Sequence, residues 1–142
     1  MRPGALVGLI IAVLGCVAGC ARKHPPPGSQ YAMAEVLLRH ELAAPRSHLG
    51  PGGARCPCYV LVGAKDFPRE RAAALADTGV TFLPESAWSA ARKGLRVHIG
   101  TARTRWNGNF DVVVGYDCDA QACRETENAI VRYDGSRWRV IR

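Results

Sequence analysis

Apolar and polar residues alternate through the C-terminal half of the chain, which predicts an antiparallel sheet. Three turn signals separate the alternating segments: Asn107-Gly108, the four residues 119–122, and Asp134-Gly135. Asn-Gly and Asp-Gly are typical of two-residue hairpin turns. We therefore expect a four-stranded antiparallel meander with strands at residues 95–106, 109–118, 123–133 and 136–142.

The turns also predict a register, because the length of each connection fixes which residues face each other. The predicted pairs are Tyr116 with Ile99, Val112 with Ala129, Val131 with Trp138, and Arg132 with Arg137. A slip of one residue would move every side chain of a strand to the other face. In this register one face is apolar and is formed by Val97, Ile99, Phe110, Val112, Val114, Tyr116, Ala129, Val131, Trp138 and Val140.

The preceding residues predict helices that cover this face. Residues 31–42 place Tyr31, Ala34, Leu38 and Leu42 at helical spacing, and residues 67–77 form a second helix that begins after Asp66 and ends before Gly79. Short strands are expected at 58–62 and 80–83, and a third short helix at 85–93. The predicted fold class is α+β, with N-terminal helices packed on one face of a curved four-stranded antiparallel meander.

The first 19 residues have the three parts of a secretory signal: a positive charge at Arg2, an apolar run over residues 5–17, and the small pair Ala18-Gly19. The apolar run is shorter than the roughly 20 residues that span a bilayer. The segment Val17-Ala18-Gly19-Cys20 resembles the lipobox of bacterial lipoproteins. The resemblance implies cleavage before Cys20 and attachment of lipid to its sulfur; cleavage a few residues later, without lipid, is the alternative.

The lipobox resemblance divides the chain into three parts. Residues 1–19 are a lipoprotein signal peptide, residues 20–29 are the lipidated cysteine and a Pro-rich tether, and residues 30–142 are a single α+β domain. A Pro-rich tether of this length reaches roughly 30 Å. The resemblance implies that the protein lies in the cell envelope, in contact with the membrane through its lipid anchor. Since Ala21 rather than Asp follows the cysteine, it further implies the outer membrane, with the domain facing the periplasm or the exterior.

The net charge is modest once the leader is removed. The sequence has 19 basic and 12 acidic residues, and removal of Arg2 leaves 18 basic residues and a formal charge of +6. Most basic residues are arginines beside many Ala, Gly and Pro, a bias that a GC-rich genome also produces. Together with the expected envelope location, this argues against a nucleic-acid partner.

Four cysteines remain after the leader and the anchor: Cys56, Cys58, Cys118 and Cys123. An even number of cysteines in an oxidising compartment predicts disulfides. The predicted register places Cys118 opposite Cys123, which leaves Cys56 and Cys58 for each other. A Cys-x-Cys bridge is tight, so the crossed pairings stay open.

The order of elements, helices followed by a long meander that ends in Asp-Gly-Ser-Arg-Trp-Arg-Val, resembles the cystatin-like and nuclear-transport-factor-2-like α+β folds. Residues 63–70, residues 115–118 and the Trp138 ending are also similar to those of small bacterial lipoproteins. This resemblance implies a fold and an envelope location, and it implies no reaction.

Two sites are candidates for chemistry. Arg132, Arg137 and Arg139 fall on the polar face, with Arg132 opposite Arg137, and like charges so placed are unfavourable. A bound phosphate or carboxylate would relieve them; the alternative is that these long side chains extend separately into water. Cys56 and Cys58, with His48 nearby, have the soft ligands that suit Cu(I), which gives a thiol metal-binding or redox protein as the alternative function.

No motif of a catalytic nucleophile, a phosphate loop or a zinc site is present in the sequence. The predicted apolar face also carries three charged residues, Arg103, Glu125 and Glu127. Glu127 beside Tyr116 would be the base in a cavity of the nuclear-transport-factor-2 type; the alternative is that these residues lie at the end of the sheet, with Glu127 paired with Arg142. We expect no enzyme, no cofactor and no metal. The predicted function is that of a membrane-anchored envelope lipoprotein acting as a non-catalytic binding or structural module, with an anionic envelope component as the candidate partner.

Overall fold

A computed structural model describes residues 24–44, 57–88, 94–118 and 124–142, without the side chains of Cys118 and Arg124. The predicted leader, Cys20, His48, Cys56 and Cys123 lie outside the described residues, so the predictions made for them stay predictions. The described residues confirm the α+β class.

Within these residues the chain forms two α-helices, two 3-10 turns and eight strands. The helices are α1 (Gln30–Ala43) and α2 (Arg69–Ala74), and the 3-10 turns span Ala76–Thr78 and Glu85–Ala87. The strands are β1 (Cys58–Val62), β2 (Lys65–Asp66), β3 (Phe82–Pro84), β4 (Leu95–Ile99), β5 (Arg103–Thr104), β6 (Asn109–Cys118), β7 (Arg124–Tyr133) and β8 (Trp138–Val140).

The eight described strands form one mixed sheet, so the predicted four-stranded antiparallel meander is wrong. The order is β2-β1-β4-β6-β7-β8, with β3 beside β1 and β5 beside β6. Strand β1 runs parallel to both β3 and β4. Parallel neighbours are joined by long crossovers and not by local turns, and turn signals therefore do not reveal them.

The register of β6 and β7 is confirmed, with Val112 opposite Ala129. The register of β4 and β6 differs from the prediction by two residues, since Tyr116 lies opposite Val97. One residue of this shift comes from the hairpin loop, which spans the three residues 106–108 and not only 107–108. Gly108 has a φ of +80°, and the Arg105 N–H donates to the Asn109 carbonyl to close the loop. The other residue of the shift comes from a bulge at residues 100–102, between the two stretches that pair with β6.

The last hairpin also differs by two residues. The connection is Gly135-Ser136 and not Asp134-Gly135, so Trp138 lies opposite Tyr133. Gly135 has a φ of +97°. A shift of two residues leaves each side chain on its predicted face, and the apolar face is therefore largely as expected.

Helix α1 confirms the first predicted helix, but its buried side is centred on Met33, Ala34, Leu37 and Leu38. Helix α2 is shorter than predicted. It begins after Pro68, while Asp66 belongs to β2 and accepts a hydrogen bond from the Ser86 N–H. The predicted stop is confirmed: Gly79 closes the 3-10 turn Ala76–Thr78, which follows α2, with a φ of +76°.

Both helices contribute to the main hydrophobic core together with one face of the sheet, which we call the inner face. On the opposite face, which we call the outer face, the 3-10 turn Glu85–Ala87 contacts β1. No described helix covers the rest of the outer face, where Val113 is 47% exposed. Among the described residues, no helix is long and apolar enough to cross a membrane.

Candidate anion-binding face

The outer face carries a cluster of five arginines. Four of them lie in two adjacent rows of paired residues that run across the strands. One row consists of Arg105, Asn109, Arg132 and Arg139, and the next consists of Arg103, Asp111, Ile130 and Ile141. The fifth, Arg137, follows the last hairpin connection. We call Arg103, Arg105, Arg132, Arg137 and Arg139 the arginine patch.

The predicted pairing of Arg132 with Arg137 is wrong, because Arg132 lies opposite Arg139. The shift in the last hairpin explains the difference. The three arginines nevertheless lie near one another: Arg132 and Arg139 are direct cross-strand neighbours, and Arg137 immediately precedes β8, two residues before Arg139.

Each of these three arginines has a polar partner. Arg132 donates from Nε to the Asn109 side-chain oxygen at 2.8 Å. Arg139 Nε lies 3.2 Å from Asp134 Oδ2, and Arg137 Nε lies 3.5 Å from the same oxygen. One carboxylate is therefore shared by two guanidinium groups. The partner of Arg132 is neutral, so within the described residues no carboxylate compensates its charge.

Asp134 is fixed in its ionised form by the hairpin itself. Its Oδ1 accepts the backbone N–H of Arg137 at 3.0 Å and the N–H and hydroxyl of Ser136 at 3.0 and 2.8 Å. These hydrogen bonds, the one from the Arg137 backbone first, hold the pKa of Asp134 well below its usual value. One oxygen of the Asp134 carboxylate is thus bonded to the turn, and the group neutralises only part of the positive charge of the patch.

Arg103 and Arg105 were not predicted as part of this cluster. The predicted register placed Arg103 on the apolar face, because it lacked the loop at 106–108 and the bulge at 100–102. In the structure Arg103 is exposed opposite Asp111, and Arg105 Nε lies 3.3 Å from Asp111 Oδ2. The glycines at 100 and 108 are the sequence signals that pointed to these irregularities.

A broad depression lies beside the patch. Its volume is about 680 Å³, and its lining includes Arg103, Arg105, Asp111, Ile130 and Arg142. Ile141, 53% exposed, neighbours Ile130 in the same row. The surface thus combines guanidinium groups with a short apolar strip.

A second charged group on the outer face holds the 3-10 turn Glu85–Ala87 against the sheet. Arg96 Nε donates to Glu85 Oε1 at 2.9 Å, and its guanidinium lies 4.5 Å from the centre of the Trp88 ring. Arg96 also lies opposite Asp117 in the register. These contacts are structural, because they join Glu85 and Trp88 to β4.

Tyr116 and Glu127 differ in burial, which does not fit a catalytic pair inside a cavity. Tyr116 is 2% exposed on the inner face, whereas Glu127 is exposed at a position opposite Val114. Burial, and then the charges of Glu41 and Glu127, raise the pKa of Tyr116 well above its usual value. A tyrosine held neutral in this way is a core residue.

Cys58 is the one cysteine whose side chain is described, and it is fully buried in the core. Leu95 lies between Cys58 and Cys118 in the sheet. Two strand spacings give about 10 Å between their Cα atoms, beyond the roughly 7 Å limit of a disulfide. This disfavours one crossed pairing; the pairs Cys118–Cys123 and Cys56–Cys58 stay predictions.

The thiol metal site also stays a prediction, since Cys56 and His48 lie outside the described residues. Within the described part of the chain, no three His, Cys, Asp or Glu side chains are grouped so as to hold a metal ion.

The chain was compared with family models, curated proteins and solved structures, and nothing matches it in any of the three comparisons.

Proposed function

We propose that this protein is a lipid-anchored, non-catalytic module of the bacterial cell envelope, and that its arginine patch binds an anionic envelope component. The lipobox-like segment at residues 17–20 supports the anchor. The observation that carries the binding function is the charge of the outer face.

On that face the two arginine rows and the last hairpin hold five guanidinium groups but only two carboxylates, Asp111 and Asp134. Guanidinium groups bind phosphate and carboxylate through two parallel hydrogen bonds. Arg132 and Arg103 are exposed, and neither is in a salt bridge within the described residues. They are therefore the groups of the patch that are best placed to receive an anion.

The test measures binding of fluorescent polyphosphate and fluorescent poly-glutamate to the acylated protein in neutral lipid nanodiscs. The double variant Arg103→Glu/Arg132→Glu reverses two charges of the patch. The matched control, Lys65→Glu/Arg69→Glu, reverses two exposed charges away from it. A hydrogen bond to a charged group contributes about 1.5–3 kcal/mol, so we expect at least a tenfold weaker dissociation constant for the first variant.

The two polymers separate phosphate from carboxylate as the recognised group. Equal loss of binding in both double variants would indicate a response to net charge and would overturn the proposal. Absence of binding by the wild-type protein at low salt would also overturn the proposal.

The anchor has its own test. Mass spectrometry of the protein extracted from membranes is expected to show an N-terminal Cys20 that carries acyl groups. Cys20→Ser is expected to leave the leader uncut. A processed protein without acyl groups would overturn the anchor and leave the binding test untouched.

A further inference from the structure

An apolar pocket of about 400 Å³ lies at the end of the core where the chain enters α1. Its wall on the sheet side includes Phe110 and Trp138, which pack edge to face at 5.1 Å between ring centres. Met33, Val62 and Ala102 complete much of the apolar lining. The volume and composition are within the range of small-molecule sites.

Residues 25–30 form the other wall. The Ser29 N–H donates to the Pro26 carbonyl at 3.1 Å, and Gly28 has a φ of +78°, so these residues make a turn that leads directly into α1. The part of the predicted tether nearest the domain is therefore folded against the pocket. Only four residues separate Cys20 from Pro25, and the chain spans at most about 3.6 Å per residue.

Among the described residues that line the pocket, Lys65 is the one that is charged. It is the first residue of β2, its side chain is exposed, and it makes no ion pair with any described residue. A hydrophobic cavity with a single cation at its edge complements a hydrocarbon chain that ends in an anionic group.

We propose that this pocket binds a fatty acid of about a dozen carbons, with the hydrocarbon chain against Phe110 and Trp138 and the carboxylate at Lys65. Taking roughly 30 Å³ for a group the size of a water molecule, the cavity holds about a dozen carbons. The proposal rests on the proposed lipid anchor for the source of the ligand, because Cys20 would hold the pocket near the membrane.

The test uses bromine-labelled dodecanoate, which quenches tryptophan at short range. The acylated protein is placed in neutral lipid nanodiscs, in a Trp106→Phe background that removes a tryptophan 88% exposed on the outer hairpin loop. We expect saturable quenching with one dodecanoate per protein, after subtraction of partitioning into empty discs. The uncharged dodecanol with the same label serves as the reference ligand.

Two variants address the two parts of the site. Ala102→Phe fills the cavity and is expected to abolish quenching by both ligands. Lys65→Glu is exposed and preserves the fold, and it is expected to weaken dodecanoate about threefold to tenfold while leaving dodecanol unchanged. Quenching that neither variant alters, or no quenching at all, would overturn the proposal.

The full chain with Cys20→Ser, which carries no lipid at residue 20, tests whether the protein's own acyl chain fills the pocket. If dodecanoate binds this variant but not the acylated protein, the pocket is occupied by the protein's own acyl chain and the proposal is wrong. If mass spectrometry finds no acyl group on the wild type and dodecanoate still binds, the anchor fails while the pocket stands.

Discussion

Arg39 of α1 joins its own helix to the end of α2 through Asp77. Its Nη1 lies 3.2 Å from both carboxylate oxygens of Asp77, and its Nη2 donates to the Ala74 carbonyl at 2.8 Å. Glu35, one turn earlier in α1, lies 3.4 Å from Arg39 Nε and 3.1 Å from Arg71. The two helices are thus joined by one network that contains the guanidinium groups of Arg39 and Arg71.

Replacing Arg39 by Ala is expected to lower the free energy of unfolding by about 1–2 kcal/mol, because several hydrogen bonds of a half-exposed ion pair are lost together. Urea denaturation measures this. Arg69→Ala, on the exposed side of α2, is the control and is expected to change stability by less than about 0.5 kcal/mol. Equal effects of the two variants would contradict a linking role for Arg39.

Gly94 precedes β4 at a point where a side chain has no room. A Cβ there would collide with the Pro57 carbonyl oxygen and would lie 2.6 Å from Tyr59 Cε2. We expect Gly94→Ala to cost about 2 kcal/mol or more, as overpacking does. Gly115→Ala is the control, since its Cβ would lie 3.9 Å from His98, and a strand glycine replaced without a clash is neutral or gains stability. A loss in both variants by the same amount, measured by urea denaturation, would rule out the clash.

Gly108 sets the hairpin loop before β6 through its backbone. Its φ is +80°, and no atom lies within 4 Å of the position of a Cβ. Gly108→Ala is expected to cost about 1 kcal/mol, because the left-handed conformation is strained for an L-residue. Gly108→Asn is expected to cost less, since asparagine adopts this conformation more readily. Thermal denaturation distinguishes them, and an asparagine variant less stable than the alanine variant would contradict the backbone explanation.

Asp134 predicts how stability depends on acid. Its pKa is lowered in the folded protein, while in the unfolded chain it is about 3.9. Its contribution is therefore present above about pH 4 and is lost as the pH falls below that value. Asp134→Asn is expected to be less stable at pH 7 and to show a flatter decline between pH 4 and 2. Glu70→Gln, an exposed position without an ion pair in the described residues, is expected to keep the wild-type profile; an unchanged profile in Asp134→Asn would refute the prediction.

Tyr116 predicts how stability changes at alkaline pH. Its pKa is raised in the folded protein, whereas an unfolded tyrosine ionises at about pH 10. Its contribution is present below pH 10 and is lost as the pH rises further, because only the unfolded state releases the proton. Tyr116→Phe is expected to flatten the loss of stability between pH 10 and 12. Glu41→Gln removes one of the negative charges near the hydroxyl and is expected to act in the same direction, but less. An unaltered slope in Tyr116→Phe would contradict the effect of burial.

The turns predicted which face of the sheet is apolar better than they predicted which residues are paired. Val97 and Val131 are buried as expected, although their partners differ. Two displacements of one residue between β4 and β6 add up to a shift that preserves the face. Between the bulge and the hairpin loop, at residues 103–105, only one displacement applies, and the predicted register therefore places Arg103 on the wrong face.

The parallel part of the sheet was beyond reach from local patterns. Residues 58–62 predicted a strand, but nothing near them in the sequence indicates that β3 and β4 are their neighbours. The arginine patch was predicted in part, because Arg132, Arg137 and Arg139 lie on the two sides of one strong turn signal. Arg103 and Arg105 joined it only through the loop at residues 106–108 and the bulge, whose effects on register depend on tertiary contacts.

The central place of β1 bears on how the chain acquires its structure. During synthesis from the N-terminus, residues 58–62 emerge well before residues 95–99, which pair with β1 along its whole length. Until β4 is made, five mostly apolar residues present an open edge to any other extended chain, which is the usual starting point of aggregation. A nascent chain of this protein is thus most vulnerable to aggregation in the interval before β4 arrives.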